Sequence, residues 1–123
     1  MSSTPAEDFQ EKVKSLLVRN SNVLDILTKC QISGSKICRS TVRSATGCGC
    51  IQINGEKNQN PLENPGSGIS GTLCQECLGV IQNEIGENLF YIASLCNALG
   101  LSMAQIMQHE IKNVETLGKY SLR

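Results

Sequence analysis

The residues best suited to chemistry in this chain are four cysteines in two pairs. Cys48 and Cys50 flank a glycine, and Cys74 and Cys77 form a Cys-x-x-Cys pair beyond a long polar stretch. A tetrahedral zinc ion takes four thiolates at ~2.3 Å, and cysteines one or two residues apart can both turn toward one ion. Cys74 and Cys77 also fall in the first turn of an apolar-periodic segment, where free backbone N–H groups and the positive end of a helix dipole favour thiolate over thiol. With all four positions filled by protein, such an ion has no open site for water, which implies a structural role. The other cysteines read differently. Cys30 and Cys96 lie on apolar stripes and read as core, while Cys38 carries no signal.

A second set is acidic. Glu84 and Glu87 stand one helical turn apart and could share a hard cation such as Mg²⁺, although one pair alone seldom holds that ion, and a solvated face is the plain alternative. Lys36, Arg39 and Arg43 share a helical face without interleaved aromatics, which reads as a solvated basic face rather than a nucleic-acid contact. His109 is the only histidine and reads as solvated. No Ser/His/Asp or Cys/His constellation and no phosphate-cradling glycine loop can be assembled.

The elements that must position these groups follow from periodicity. The clearest is a helix over 73–99, with Thr72 and Gln75 as a capping box and Gly100 as its stop. Its stripe of Leu78, Ile81, Ile85, Leu89, Ile92, Cys96 and Leu99 is expected to be buried. At ~1.5 Å per residue this helix is about 40 Å long, so several partner helices are needed to cover it. Thr4, Pro5 and Glu7 announce an earlier helix with Phe9, Val13, Leu16 and Leu17 as its apolar face. The pattern continues through Val23, Leu24, Leu27 and Cys30. One helix or two would fit, and a break near Asn20 is favoured, with Asn20, Ser21 or Asn22 able to cap a fresh start. Ser33, Gly34 and Ser35 read as a turn, Lys36 to Ala45 as a short helix, and Ile51 to Ile53 as a strand-like piece. Residues 54–71 read as a mobile loop whose ends are the cysteine pairs. Ser102 and Gln105 start a last helix, 103–117, stapled by Leu101 and Ile106 and stopped by Gly118. Its face of Ile106, Met107, Ile111, Val114 and Leu117 is expected to be buried. The short connection implies an antiparallel hairpin with the long helix.

The run Asn83-Glu84-Ile85-Gly86-Glu87-Asn88-Leu89-Phe90-Tyr91-Ile92-Ala93, followed by Leu95, Asn97, Leu99-Gly100-Leu101-Ser102 and the helix to Leu117-Gly118, resembles the closing half of the MazG-like all-α nucleoside triphosphate pyrophosphohydrolases. The resemblance covers roughly the last 45 residues, about a third of the chain. It implies a helical bundle, Mg²⁺ held through Glu84 and Glu87, a nucleotide ligand, and assembly as a homodimer or higher homo-oligomer. Glu87 stands where that family has Asp. The family's second pair, E-x-x-E on an earlier helix, has no counterpart at its expected place: Glu56 and Glu63 are seven apart in a loop, and the preceding helix carries Lys36, Arg39 and Arg43. Weak or absent turnover is therefore expected.

Composition bounds the rest. A chain of 123 residues suits one domain, and the expectation is a single all-α domain over 1–123: a small helical bundle with a zinc-knuckle-like insertion, residues 48–77, before the long central helix. There is no Trp, with two Phe and two Tyr, so the core must be aliphatic. Eleven basic and eleven acidic residues balance, which gives no global field to attract nucleic acid or an anionic membrane. Met1 to Gln10 is polar and acidic rather than leader-like, so a cytoplasmic setting is expected. There the seven cysteines would stay reduced, and metal ligation outranks disulfides. The functional expectation is a zinc-stabilised MazG-like binding or regulatory module. The alternatives are a Mg²⁺-dependent pyrophosphohydrolase and a zinc–thiol redox switch resembling the site of a redox-regulated heat-shock chaperone.

Overall fold

The computed structural model describes residues 3–16, 22–54 and 67–117, with backbone alone at Leu117. Leu17, Glu56, Glu63, Gly118 and most of the expected 54–71 loop lie outside the described residues. Four α-helices and one short β-ribbon follow in order: α1 (Pro5–Leu16), α2 (Val23–Arg43), a π-helical turn (Ser44–Cys48), β1 (Ile51–Ile53), β2 (Ile69–Gly71), α3 (Gln75–Leu99) and α4 (Met103–Leu117). The all-α expectation holds at this level.

The helix starts show how far local chemistry decides. The capping box at α1 forms as expected: the Glu7 amide donates to Thr4 Oγ1 at 3.2 Å and the Thr4 amide donates to Glu7 Oε1 at 2.9 Å. At α2, Asn22 Oδ1 accepts from the Leu24 and Asp25 amides, at 2.9 and 3.4 Å, which gives the fresh start anticipated near Asn20. At α4, Ser102 Oγ accepts from the Gln105 amide at 3.2 Å. The start of α3 differs from the expectation. Its cap is Cys74, whose Sγ accepts from the Cys77 amide at 3.4 Å, rather than Thr72.

The expected turn at Ser33, Gly34 and Ser35 does not form, because α2 runs straight through it for 21 residues. Small polar residues here serve helix packing. Ser33 is buried and Asn88 Nδ2 donates to its Oγ at 2.8 Å. Gly34 beside it is not closely packed, since an added Cβ would lie 4.0 Å from the same Asn88 amide. Lys36 and Ser40 continue the seam, so the expected short helix at 36–45 is the end of a long one. A strand at Ile69–Gly71 was not anticipated either. It pairs antiparallel with β1 in the register Ile51↔Gly71, Gln52↔Ser70, Ile53↔Ile69.

The chain divides into two compact units, Gln31–Asn88 and Met1–Cys30 with Leu89–Arg123. In the second, Val13, Ala93, Cys96 and Met103 form a small core with Phe90 packed against it. Gln10 ties its elements together: its Nε2 donates to Asn97 Oδ1 at 2.9 Å and to the Leu101 carbonyl at 2.7 Å, and its Oε1 accepts from the Met103 amide at 2.8 Å. Gly100, at φ +71, ends α3, with the Leu101 amide donating back to the Cys96 carbonyl at 2.8 Å. The chain then bends by 108° into α4, an L-shaped corner where an antiparallel hairpin was expected. The reason is local, since the Gln10 clamp draws the start of α4 onto α1 rather than back along α3.

The corner leaves the expected apolar faces open. Of the α3 stripe only Ile81 and Cys96 are buried, while Ile85, Leu89, Ile92 and Leu99 are 37–56% exposed. The core uses the neighbouring face of α3, through Ala93, Ser94 and Asn97, where small and polar residues allow close approach. On α4, Ile106, Met107, Ile111 and Val114 are also exposed, against the expectation of burial. Among the described residues no single helix is long and apolar enough to cross a membrane.

Candidate metal centre

The four paired cysteines meet within the unit Gln31–Asn88. One sulfur from each of Cys48, Cys50, Cys74 and Cys77 lies within 4.8 Å of every other, and Cys48 Sγ is 3.8 Å from Cys74 Sγ. Thiolates at ~2.3 Å from a shared tetrahedral ion would stand about 3.8 Å apart, so the set needs only a modest contraction to close around one. Among the described residues no other group of three or more Cys, His, Asp or Glu side chains converges in this way.

Each sulfur is delivered by a specific piece of backbone. The π-helical turn ends at Cys48, where the Gly49 amide donates to the Ser44 carbonyl at 2.8 Å. Gly49 then turns the chain at φ 85, so that Cys50 faces back, its thiol 3.7 Å from the same Ser44 carbonyl. The ribbon brings in the second pair, since β1 follows Cys50 directly and β2 ends three residues before Cys74. Its closest approach is at Gly71, where φ is 90 and a Cβ would sit 2.7 Å from the Cys50 carbonyl oxygen. Only glycine fits there without displacing backbone. Cys74 and Cys77 occupy the cap and first turn of α3, as their spacing implies.

The electrostatics of this cluster are those of thiols that cannot all ionise unaided. The Cys77 amide, hydrogen-bonded to Cys74 Sγ, leads the influences that bring Cys74 down to about 7, with the other three thiols assisting. At Cys77, the Ser44 hydroxyl pulls downward but is outweighed by the Cys74 sulfur, desolvation and the other two thiols, and the group is pushed up to about 12. Cys48 is raised chiefly by its contact with Cys74. One thiolate at Cys74 therefore forms readily and makes the next harder to form. A divalent cation relieves that repulsion.

The remaining cysteines stay apart. Burial raises both Cys30 and Cys96; Cys96 is buried in the core as read, Cys30 is only half-buried, and Cys38 is exposed. Sequence reasoning missed Ser44, whose buried backbone and hydroxyl border the cluster, and Gly71. The turn-rich run Gly68-Ile69-Ser70-Gly71, which matches the alternation of Ile51-Gln52-Ile53, is the signal that could have revealed the ribbon. A cleft of about 640 Å³ opens beside the cluster, walled by Ser40, Arg43, Thr46, Glu76 and the sulfur-bearing Cys48 and Cys77 among others.

Glu84 and Glu87 face α2 within the same unit. The Ser40 hydroxyl donates to the Glu84 carboxylate, and Lys36 Nζ lies 3.1 Å from Glu87 Oε1. With Asn88 and Ser33 these form an antiparallel polar seam between α2 and α3. The pair meets an ammonium and a hydroxyl where a shared divalent cation would want further carboxylates. Comparison with protein-family models, with curated proteins and with solved structures finds no match.

Proposed function

We propose that the chain is a zinc-stabilised helical MazG-like module, the likeness resting on the sequence run from Asn83 to Gly118, acting by binding or regulation with weak or no turnover of nucleoside triphosphates. The observation that carries this reading is the convergence of four sulfurs from Cys48, Cys50, Cys74 and Cys77. A soft borderline cation suits an all-thiolate set of this size, and zinc is the common choice for it. Cys48 and Cys50 follow α2 and Cys74 and Cys77 begin α3, so one ion would bind the two helices of this unit at their shared end. Metal binding of this kind is folding free energy.

The reading of weak catalysis is supported by the polar seam. Lys36 already neutralises Glu87, and Mg²⁺ gives up its waters reluctantly to two carboxylates alone. Two assays test the proposal together. Elemental analysis of purified protein is expected to find one zinc per chain, lost in Cys74→Ser and retained in Cys38→Ser. Pyrophosphate release from a nucleotide panel with Mg²⁺ or Mn²⁺ is expected to stay near background. Robust release that disappears in Glu84→Ala would replace this reading with the pyrophosphohydrolase.

A further inference from the structure

Ser33, Ser44 and Ser94 are the buried polar side chains among the described residues, each at 1–2% exposure. Two of them serve packing: Ser33 accepts from Asn88, and Ser94 donates back to the Phe90 carbonyl at 2.9 Å. Ser44 stands instead beside the sulfurs, at the start of the π-helical turn. Its carbonyl accepts from the Gly49 amide at 2.8 Å and lies 3.7 Å from the Cys50 thiol, which holds the turn carrying Cys48 and Cys50. Its hydroxyl donates to the Ser40 carbonyl at 3.1 Å. Ser44 also lines the cleft that Cys48 and Cys77 border, and its hydroxyl leads the influences acting on the Cys77 thiol. One residue thus touches both cysteine pairs.

We infer that Ser44 is a positioning residue for the metal, its hydroxyl turning from the Ser40 carbonyl to the Cys77 sulfur when that sulfur is ligated as a thiolate. The inference rests on the metal reading proposed above and names the residue outside the four ligands that tunes it. A serine hydroxyl carries one proton, so it serves one strong acceptor at a time. A neutral thiol is a weak acceptor and loses to the carbonyl, whereas a thiolate is charged and wins. The turn needs only a rotation of the hydroxyl side chain, and the cleft beside Ser40 lets water replace the bond given up. Four thiolates on one divalent cation leave excess negative charge on sulfur, which hydrogen-bond donors disperse. Cys74 already has such a donor in the Cys77 amide at 3.4 Å, and Ser44 supplies one for Cys77.

The test titrates the full, reduced, metal-free chain with Co²⁺, then measures zinc affinity against a chromophoric chelator, for wild type, Ser44→Ala, Ser44→Thr and Ser33→Ala. Ser44→Ala keeps the carbonyl and removes only the hydroxyl. It is expected to weaken zinc binding about tenfold or more, as loss of a partner to a metal ligand does. The sulfur-to-cobalt charge-transfer band should also move to lower energy, because a thiolate without its hydrogen bond gives up charge more easily. Band position is read at saturating Co²⁺, so reduced stability alone does not move it. Ser44→Thr, which keeps the hydroxyl, is expected to hold the wild-type band, and Ser33→Ala to leave both metal readouts unchanged. A Ser44→Ala chain with wild-type affinity and band position overturns the inference and leaves the metal centre standing. A band that moves equally in Ser44→Thr, or equal losses of affinity in Ser44→Ala and Ser33→Ala, assigns Ser44 to packing and overturns it too. A wild-type chain that takes up no Co²⁺ overturns the metal reading itself, and this inference with it.

Discussion

Outside the cysteines themselves, Gly71 is a residue on which the geometry of the cysteine centre depends. At φ 90, with a Cβ position 2.7 Å from the Cys50 carbonyl, it sets how closely the ribbon lets the two cysteine pairs approach. Gly71→Ala is expected to cost ~2 kcal/mol or more, because both the backbone conformation and the contact are lost. Denaturant unfolding with metal present measures it. Glu7 offers a gentler test at the same scale. The Thr4 amide, then its hydroxyl, hold the Glu7 carboxyl below its usual range. A depressed carboxylate contributes stability above its unfolded value and loses it as pH falls through the folded one. The first turn of α1 should therefore loosen on acidification through and below the ordinary carboxylate range. Amide exchange at Glu7 and Asp8 reports this; Thr4→Ala, which keeps the backbone amide and loses only the hydroxyl, should weaken the effect in part, and Glu7→Gln, which cannot ionise, should remove it.

At the scale of elements, capping chemistry was the most legible part of the sequence. Thr4 with Glu7, Ser102 with Gln105 and the asparagine at the start of α2 all act as their side chains dictate. Cys74 displaced Thr72 as cap because a sulfur in that position can accept the same amide bond while remaining near the other three cysteines. The turn at Ser33–Ser35 was misread for a different reason. Small polar residues mark turns when exposed, but here they let α2 and α3 approach closely, and burial is decided by tertiary contacts that local composition does not encode. Gly34→Ala tests whether α2 is continuous here. An added methyl would meet Asn88 only at 4.0 Å, an ordinary contact, so the substitution should stabilise the protein by about 0.5–1 kcal/mol through helix propensity. A loss of stability in thermal unfolding would argue for a break at this point. The apolar stripes of α3 and α4 were expected to be buried, and at Ile85, Leu89, Ile92, Leu99, Ile106, Met107, Ile111 and Val114 they are exposed. What the sequence could not convey was the Gln10 clamp and the 108° corner, with which these faces stay uncovered among the described residues.

Across the whole molecule, the described residues separate into a unit ordered by sulfur and polar seams and a unit with a modest aliphatic core. The first was legible because cysteine spacing is a strong constraint: two short-spaced pairs, one at a helix start, leave few arrangements except convergence. The acidic pair Glu84 and Glu87 is engaged by Ser40 and Lys36. Cys48, Cys50, Cys74 and Cys77 converge as four thiols that are proposed to hold one divalent metal ion. Titration of the reduced, metal-free protein with Co²⁺ tests it most directly, because four thiolates in a tetrahedron give cobalt intense sulfur charge-transfer and visible ligand-field bands. Those bands are expected to saturate at one equivalent, to bleach when zinc is added, and to lose intensity in Cys74→Ser but not in Cys38→Ser. A weak octahedral spectrum, or bands unchanged by Cys74→Ser, would contradict it.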